Sequence, residues 1–155
     1  MPPSVRIAGM ARFFTLDAAN ATIPELRTIL ETLRDERSQL ITLRDEFREL
    51  SVDAPTEGGA TGSAVASRAT GRADGERGRI RLRMQGVIDQ MQAGVARIDE
   101  LGVTLREIET GLIDFPALVS GRQVWLCWRL GEDDVEWWHE LGDGFGGRQP
   151  LAELT

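Results

Sequence analysis

From Leu26 to Leu50 the apolar positions recur every seven residues. Leu26, Leu33, Leu40 and Phe47 hold one place in the repeat, and Ile29, Leu43 and Leu50 hold the other, broken only by Glu36. A stripe kept apolar over four heptads predicts a long helix packed against another in coiled-coil fashion. Thr15, with Asp17 in the turn that follows, marks a first start, and Thr22-Ile23-Pro24-Glu25 reads as a capping box with proline inside its first turn. Helix 1 is therefore placed at residues 15–51, with Pro24 as a start or a kink. Residues 1–14 form a tail that ends in a short edge strand at Ala11–Phe14.

The repeat returns after a break. Ile80, Val87 and Leu101 share one position with Gly94, while Met84, Met91 and Ile98 share the other, and Gly102 stands where a C-terminal cap belongs. This predicts helix 2 at 79–102, antiparallel to the first. Between them Val52–Gly78 is rich in Gly, Ser, Thr and Ala and reads as a flexible loop, 52–78. The period then changes towards two, with turn signals at Glu109-Thr110-Gly111, Ser120-Gly121 and Gly131–Asp134. Residues 103–155 are read as a β-meander of three or four strands, at about 103–108, 112–115, 123–130 and 135–140, followed by a C-terminal loop. The expected architecture is α+β: one domain over 1–155, a long antiparallel helical hairpin and then a small antiparallel meander. On the strand at 123–130, Val124, Leu126, Trp128 and Leu130 form a core face. Gln123, Trp125, Cys127 and Arg129 form a face too polar for a core and too aromatic for bare solvent.

Composition narrows the function classes. A net charge of −7 argues against a nucleic-acid surface, in spite of the local run of arginines from Arg68 to Arg83. No apolar window is long enough for a membrane span, and the start of the chain has no apolar core of signal-peptide type, so a cytoplasmic protein is expected. The lone Cys127 fits a reducing compartment. The chain has no lysine, which excludes a P-loop. Gly142–Gly147 has dinucleotide-fingerprint spacing, but too little chain follows it to supply the helix that would hold a pyrophosphate.

The segment Gly111–Pro150 holds all four tryptophans, the only cysteine and the only histidine. His139 and Glu140 are the metal-ligand candidates, with Asp114 and Cys127 as further donors on neighbouring strands, and imidazole with carboxylates suits a divalent transition metal. Adjacent strand residues face opposite ways, so His139 and Glu140 meet one metal only where the strand has ended or bulged. A single histidine also falls short of the usual catalytic sets, and a hydrogen-bonded structural role is the simpler reading of it. Asp114, Trp125, Arg129, Trp137 and Arg148 are the ligand-binding candidates, in a pocket expected between helices and sheet. The tryptophans serve equally as packing. Arg129 and Arg148 are either ion-paired with Asp114, Glu132 or Glu140, or a clamp for a carboxylate or phosphate.

The motifs Phe14–Asn20, Pro24–Arg27, Asp114-Phe115-Pro116-Ala117, Cys127–Glu132, Trp138-His139-Glu140 and Gly147–Pro150 resemble those of a bacterial family of unknown function, DUF2203. The resemblance covers nearly the whole chain and implies a shared fold, but it transfers no activity. The stretch Val52–Gly78 looks longer than that family's usual connection. The expectation is a cytosolic interaction or regulatory module that assembles with itself or a protein partner through the hairpin and uses an aromatic sheet surface. The alternative is a small metal- or ligand-binding enzyme with its site around Asp114, Arg129, His139, Glu140 and Arg148. The absence of any complete catalytic constellation in the sequence favours the first.

Overall fold

The structure of the chain, a computed structural model, describes residues 12–52 and 64–154. Two helices, α1 (Leu16–Val52) and α2 (Ala64–Glu100), form a hairpin. Five strands follow: β1 (Thr104–Glu107), β2 (Leu112–Val119), β3 (Arg122–Arg129), β4 (Trp137–His139) and β5 (Gln149–Pro150). They make one antiparallel sheet in chain order, so the fold is the expected α+β hairpin and meander. No helix among the described residues is long and apolar enough to cross a membrane.

Thr15 caps α1, its Oγ1 accepting the Ala18 N–H at 3.1 Å. The helix does not restart at Thr22, whose hydroxyl donates back to the Ala18 carbonyl at 2.8 Å as an interior threonine does. Pro24 lies inside α1. It costs the helix one backbone bond, and the buried Ile23 and Leu26 on either side hold the turn in place. The second helix begins at Ala64 and not at Arg79, so residues 64–78 of the expected loop are helical, while 53–63 lie outside the described residues. Glycine weakens a helix by about 1 kcal/mol per residue. Gly71, Gly75 and Gly78 are nevertheless separated by good helix formers, no proline intervenes, and Arg77 pairs with Asp74 one turn away. Gly102, at φ 81°, ends α2 as expected.

The chain divides into two compact units. One comprises α1 from Asp35 and α2 as far as Gln92. Its core is Leu43, Ile80 and Val87, with Leu40, Phe47, Leu50, Met84 and Met91 packed against them. These are the heptad residues. Glu36 interrupts the stripe, and its Oε2 is buried without a hydrogen-bond partner there.

The other unit comprises α1 as far as Arg34, α2 from Ala93, and the whole sheet. Leu26, Leu30 and Leu33 are buried in it. Gly94 lets the two helices approach closely, because a Cβ there would lie 3.1 Å from Leu33 Cδ2. The inner face of the sheet carries Ile113, Phe115, Ala117, Val124, Leu126, Trp128 and Trp138, all buried. Phe14 meets Phe115 edge-on at 5.1 Å, Arg27 covers Trp128, and the Asn20 side chain accepts the Val135 N–H at 2.8 Å.

Two further differences from the expected elements have physical causes. Of the tail and edge strand expected over 1–14, residues 1–11 lie outside the described residues and 12–14 form no strand: the Phe14 N–H donates to the Pro116 carbonyl at 2.7 Å, but Pro116 has no N–H to return, so the ladder ends after one bond. Strand β5 replaces part of the expected C-terminal loop, fastened by the Trp138 indole donating to the Pro150 carbonyl at 3.2 Å.

Candidate metal and ligand site

The register of the ladder decides which side chains meet. Asp114 lies opposite Cys127, and Cys127 opposite Trp137, while Pro116 faces Trp125 and Trp125 faces His139. Partners across an antiparallel ladder point to the same side of the sheet. Asp114, Trp125, Cys127, Arg129, Trp137 and His139 therefore share the outer face, opposite the one that packs on the helices. Asp114, Cys127 and His139 are each at most 2% exposed, and one ligand atom from each lies within 4.8 Å of the others.

Most hydrogen bonds around this trio have a definite direction. Arg106 Nε donates to Asp114 Oδ2 at 2.8 Å. His139 places Nδ1 2.8 Å from the Glu140 carbonyl and Nε2 3.0 Å from Asp114 Oδ2. A carbonyl only accepts, so Nδ1 carries a proton, and the Nε2 contact with the carboxylate is a hydrogen bond through a second proton shared by the two groups. Asp114 Oδ1 is buried and has no hydrogen-bond partner within the protein. Burial pushes the Cys127 thiol up to about 12 from its ordinary 9.0, with the Asp114 charge adding to the rise and Arg148 opposing it. The thiol is protonated at neutral pH in the metal-free protein.

A cavity of about 350 Å3 opens above the trio, lined by Arg106, Leu112, Asp114, Cys127, His139 and the loop Leu141–Phe145. This places the pocket on the outer face of the sheet and not between helices and sheet, because the inner face is filled by Phe115, Leu126 and Trp128. A second hollow, of about 360 Å3, is lined by Arg27, Glu31, Arg34 and Leu130–Asp133. Its charged groups are of both signs, and none of the residues that line it carries a buried polar side-chain atom without a partner.

The other sequence candidates fall around the cavity rather than in it. Trp125 is half-buried beneath Arg106, whose guanidinium carbon lies 4.9 Å from the ring centroid. Arg148 stacks on Trp137 at 5.1 Å and pairs with Glu132 at 2.6 Å, which is the ion-pair reading. Arg129 is exposed and covers Phe145 at 5.2 Å, and its backbone N–H donates to Glu132 Oε1. Glu140 turns to the opposite face and pairs with Arg122, so its carboxylate does not join His139. The alternation of strand side chains carries through that position, as its chemistry requires.

Two participants escaped the sequence reading. Arg106 lies in β1 among charged neighbours and has no motif around it. The loop Leu141–Phe145 was legible only as glycine-rich chain.

No curated protein and no solved structure matches the chain. The profile of the family described as an uncharacterized conserved protein, DUF2203, matches residues 12–151. The chain accordingly belongs to the DUF2203 family.

Proposed function

We propose that the chain is a binding module whose working part is the outer face of the sheet, where one small ligand is held beneath the Leu141–Phe145 loop. The observation that carries this reading is the cavity of about 350 Å3 with a polar floor of Asp114, Cys127 and His139 and an apolar rim of Leu112, Leu141 and Phe145. Concave, mostly apolar hollows with a few convergent polar groups are the usual form of small-ligand sites. Leu141 and Phe145 stand 51% and 42% exposed, apolar surface that a ligand entering the cavity would cover. Arg106 gives the mouth a cation suited to an anionic group.

The test is native mass spectrometry of the untagged protein as purified, beside a Leu112→Trp variant that fills the cavity. A mass excess that disappears on denaturation and is absent from the variant supports the reading. If neither protein carries one, and zinc, phosphate and short carboxylates all leave the melting temperature of the wild type unchanged, the reading fails. The compartment we propose is the cytoplasm, where a lone buried thiol stays reduced.

The helical hairpin is a second surface, through which we propose that the chain assembles in coiled-coil fashion with another copy or a protein partner. Val52 on α1 and Leu82 on α2, 82% and 75% exposed, are the apolar side chains that such assembly would cover. Sedimentation equilibrium checks it: a dimer that Leu82→Glu dissociates supports assembly, and a wild type monomeric at high concentration refutes self-association.

A further inference from the structure

Three strands bring an oxygen, a sulfur and a nitrogen donor to one buried point. An apolar trio would fill the same volume without the cost of burying a carboxylate, which is several kcal/mol for an ion removed from water. Arg106 offsets part of that cost at Oδ2, but Oδ1 is left buried with no partner. A buried carboxylate oxygen without a donor is the kind of exception that calls for an unseen partner.

We propose that Asp114 Oδ1, Cys127 Sγ and His139 Nε2 bind a borderline-soft divalent transition metal of the zinc class, leaving a fourth coordination position open to the cavity. The inference rests on the binding reading above and names the chemistry of what the site holds. The donor set suits zinc, which accepts thiolate, imidazole and carboxylate together in tetrahedral geometry. With metal–ligand distances of roughly 2.0–2.3 Å, tetrahedral neighbours stand about 3.3–3.7 Å apart. One carboxylate oxygen of Asp114, Cys127 Sγ and one ring nitrogen of His139 already lie within 4.8 Å of one another, so closing the set needs His139 Nε2 to leave Oδ2 and the side chains to draw together on a paired sheet.

The surroundings match what a ligated metal needs from its second layer. The His139 Nδ1–H is held by the Glu140 carbonyl, which orients the ring so that Nε2 is the nitrogen a metal would take in exchange for its contact with Asp114 Oδ2. Arg106 holds Oδ2, presenting Oδ1 as the coordinating atom. Two protons leave on binding: the Cys127 S–H bond and the bond to the proton shared by His139 Nε2 and Asp114 Oδ2 both break, metal–sulfur and metal–nitrogen bonds form, and both protons go to solvent. A dication against one thiolate and one carboxylate gives a neutral centre, and Arg106, in the lining of the same cavity, adds one positive charge suited to an incoming anion. Three protein ligands and one open position distinguish this arrangement from a closed, purely structural site.

The experiment uses the full chain, stripped with a chelator and titrated with zinc by calorimetry and with cobalt(II) by absorption. The expected result is one equivalent of either metal and, with cobalt, a near-ultraviolet sulfur-to-metal charge-transfer band together with tetrahedral visible bands. Cys127→Ser is expected to abolish the charge-transfer band and His139→Ala to weaken zinc about tenfold or more, while Glu140→Gln leaves both unchanged. Circular dichroism establishes that each variant folds. Should the Cys127 and His139 variants fail to fold, the wild-type cobalt spectrum decides alone. No saturable binding, or cobalt bound without a sulfur band, overturns the proposal, as does zinc binding that Cys127→Ser leaves intact. If the native protein carries an organic ligand but no metal, the metal assignment falls while the binding reading stands. If it carries neither and responds to neither, both fall.

Discussion

Cys127 is the one side chain of this protein whose titration can be isolated by chemistry alone. The sequence contains no lysine and no tyrosine, so between the α-amino group and the arginines the thiol has no competitor. In the folded, metal-free protein burial raises it from 9.0 to about 12. The folded state therefore holds its proton where the unfolded chain has lost it. Stability from this group is fully present below pH 9 and is lost as pH rises from about 9 towards 12, with a slope of at most about 1.4 kcal/mol per pH unit for one proton. We expect urea midpoints of the metal-free protein to fall across that window and those of Cys127→Ala to stay nearly level. A wild-type profile as flat as the variant's would mean the thiol is reached by water.

At the scale of elements, the helical seam contains its own experiment. Glu36 occupies a heptad position, its Oε2 has no partner, and burial raises its carboxyl above the ordinary value. A raised folded-state value means that the group favours the folded form when protonated and opposes it when ionised, so it costs stability at neutral pH and costs less as pH falls into the carboxylate range. Glu36→Leu is expected to raise stability at pH 7 by up to about 1 kcal/mol, with a smaller gain at pH 4, measured by denaturant unfolding at both pH values. An unchanged or lowered midpoint at pH 7 would show that the carboxylate reaches solvent or a partner. Where Gly94 faces Leu33 the constraint is steric instead. Gly94→Leu is expected to cost roughly 1–3 kcal/mol by forcing the helices apart, despite the better helix propensity of leucine. A rise in melting temperature would refute that close approach.

For the whole molecule, the two compact units make separate claims on stability. The hairpin unit has a small core of its own, in which Leu43 is 2% exposed. Leu43→Ala is expected to cost about 2 kcal/mol, the low end for a leucine truncation, because several of its neighbours are only partly buried. Amide exchange should quicken within Asp35–Gln92 and leave β2 and β3 protected. Equal acceleration in the strands would instead mean that the chain opens as one cooperative body.

The helices and the meander were legible in the sequence because each depends on local periodicity: Leu26, Leu33, Leu43, Ile80 and Val87 announce a buried stripe wherever the chain places it. The extent of α2 was not legible, since the glycines between Ala64 and Gly78 signal a loop by composition and a helix forms across them all the same. The site was visible only as a list. Asp114, Cys127 and His139 could be named as donors from their chemistry, but sequence distance does not say which strands pair or in which register. A slip of one residue would have sent Cys127 to the inner face beside Phe115. Strand alternation already set Glu140 apart from His139, and the fold kept that separation. The choice of Arg106 and the Leu141–Phe145 loop as the walls around the trio belonged to the tertiary structure alone, because no local pattern marks a residue that acts through a neighbour on another strand.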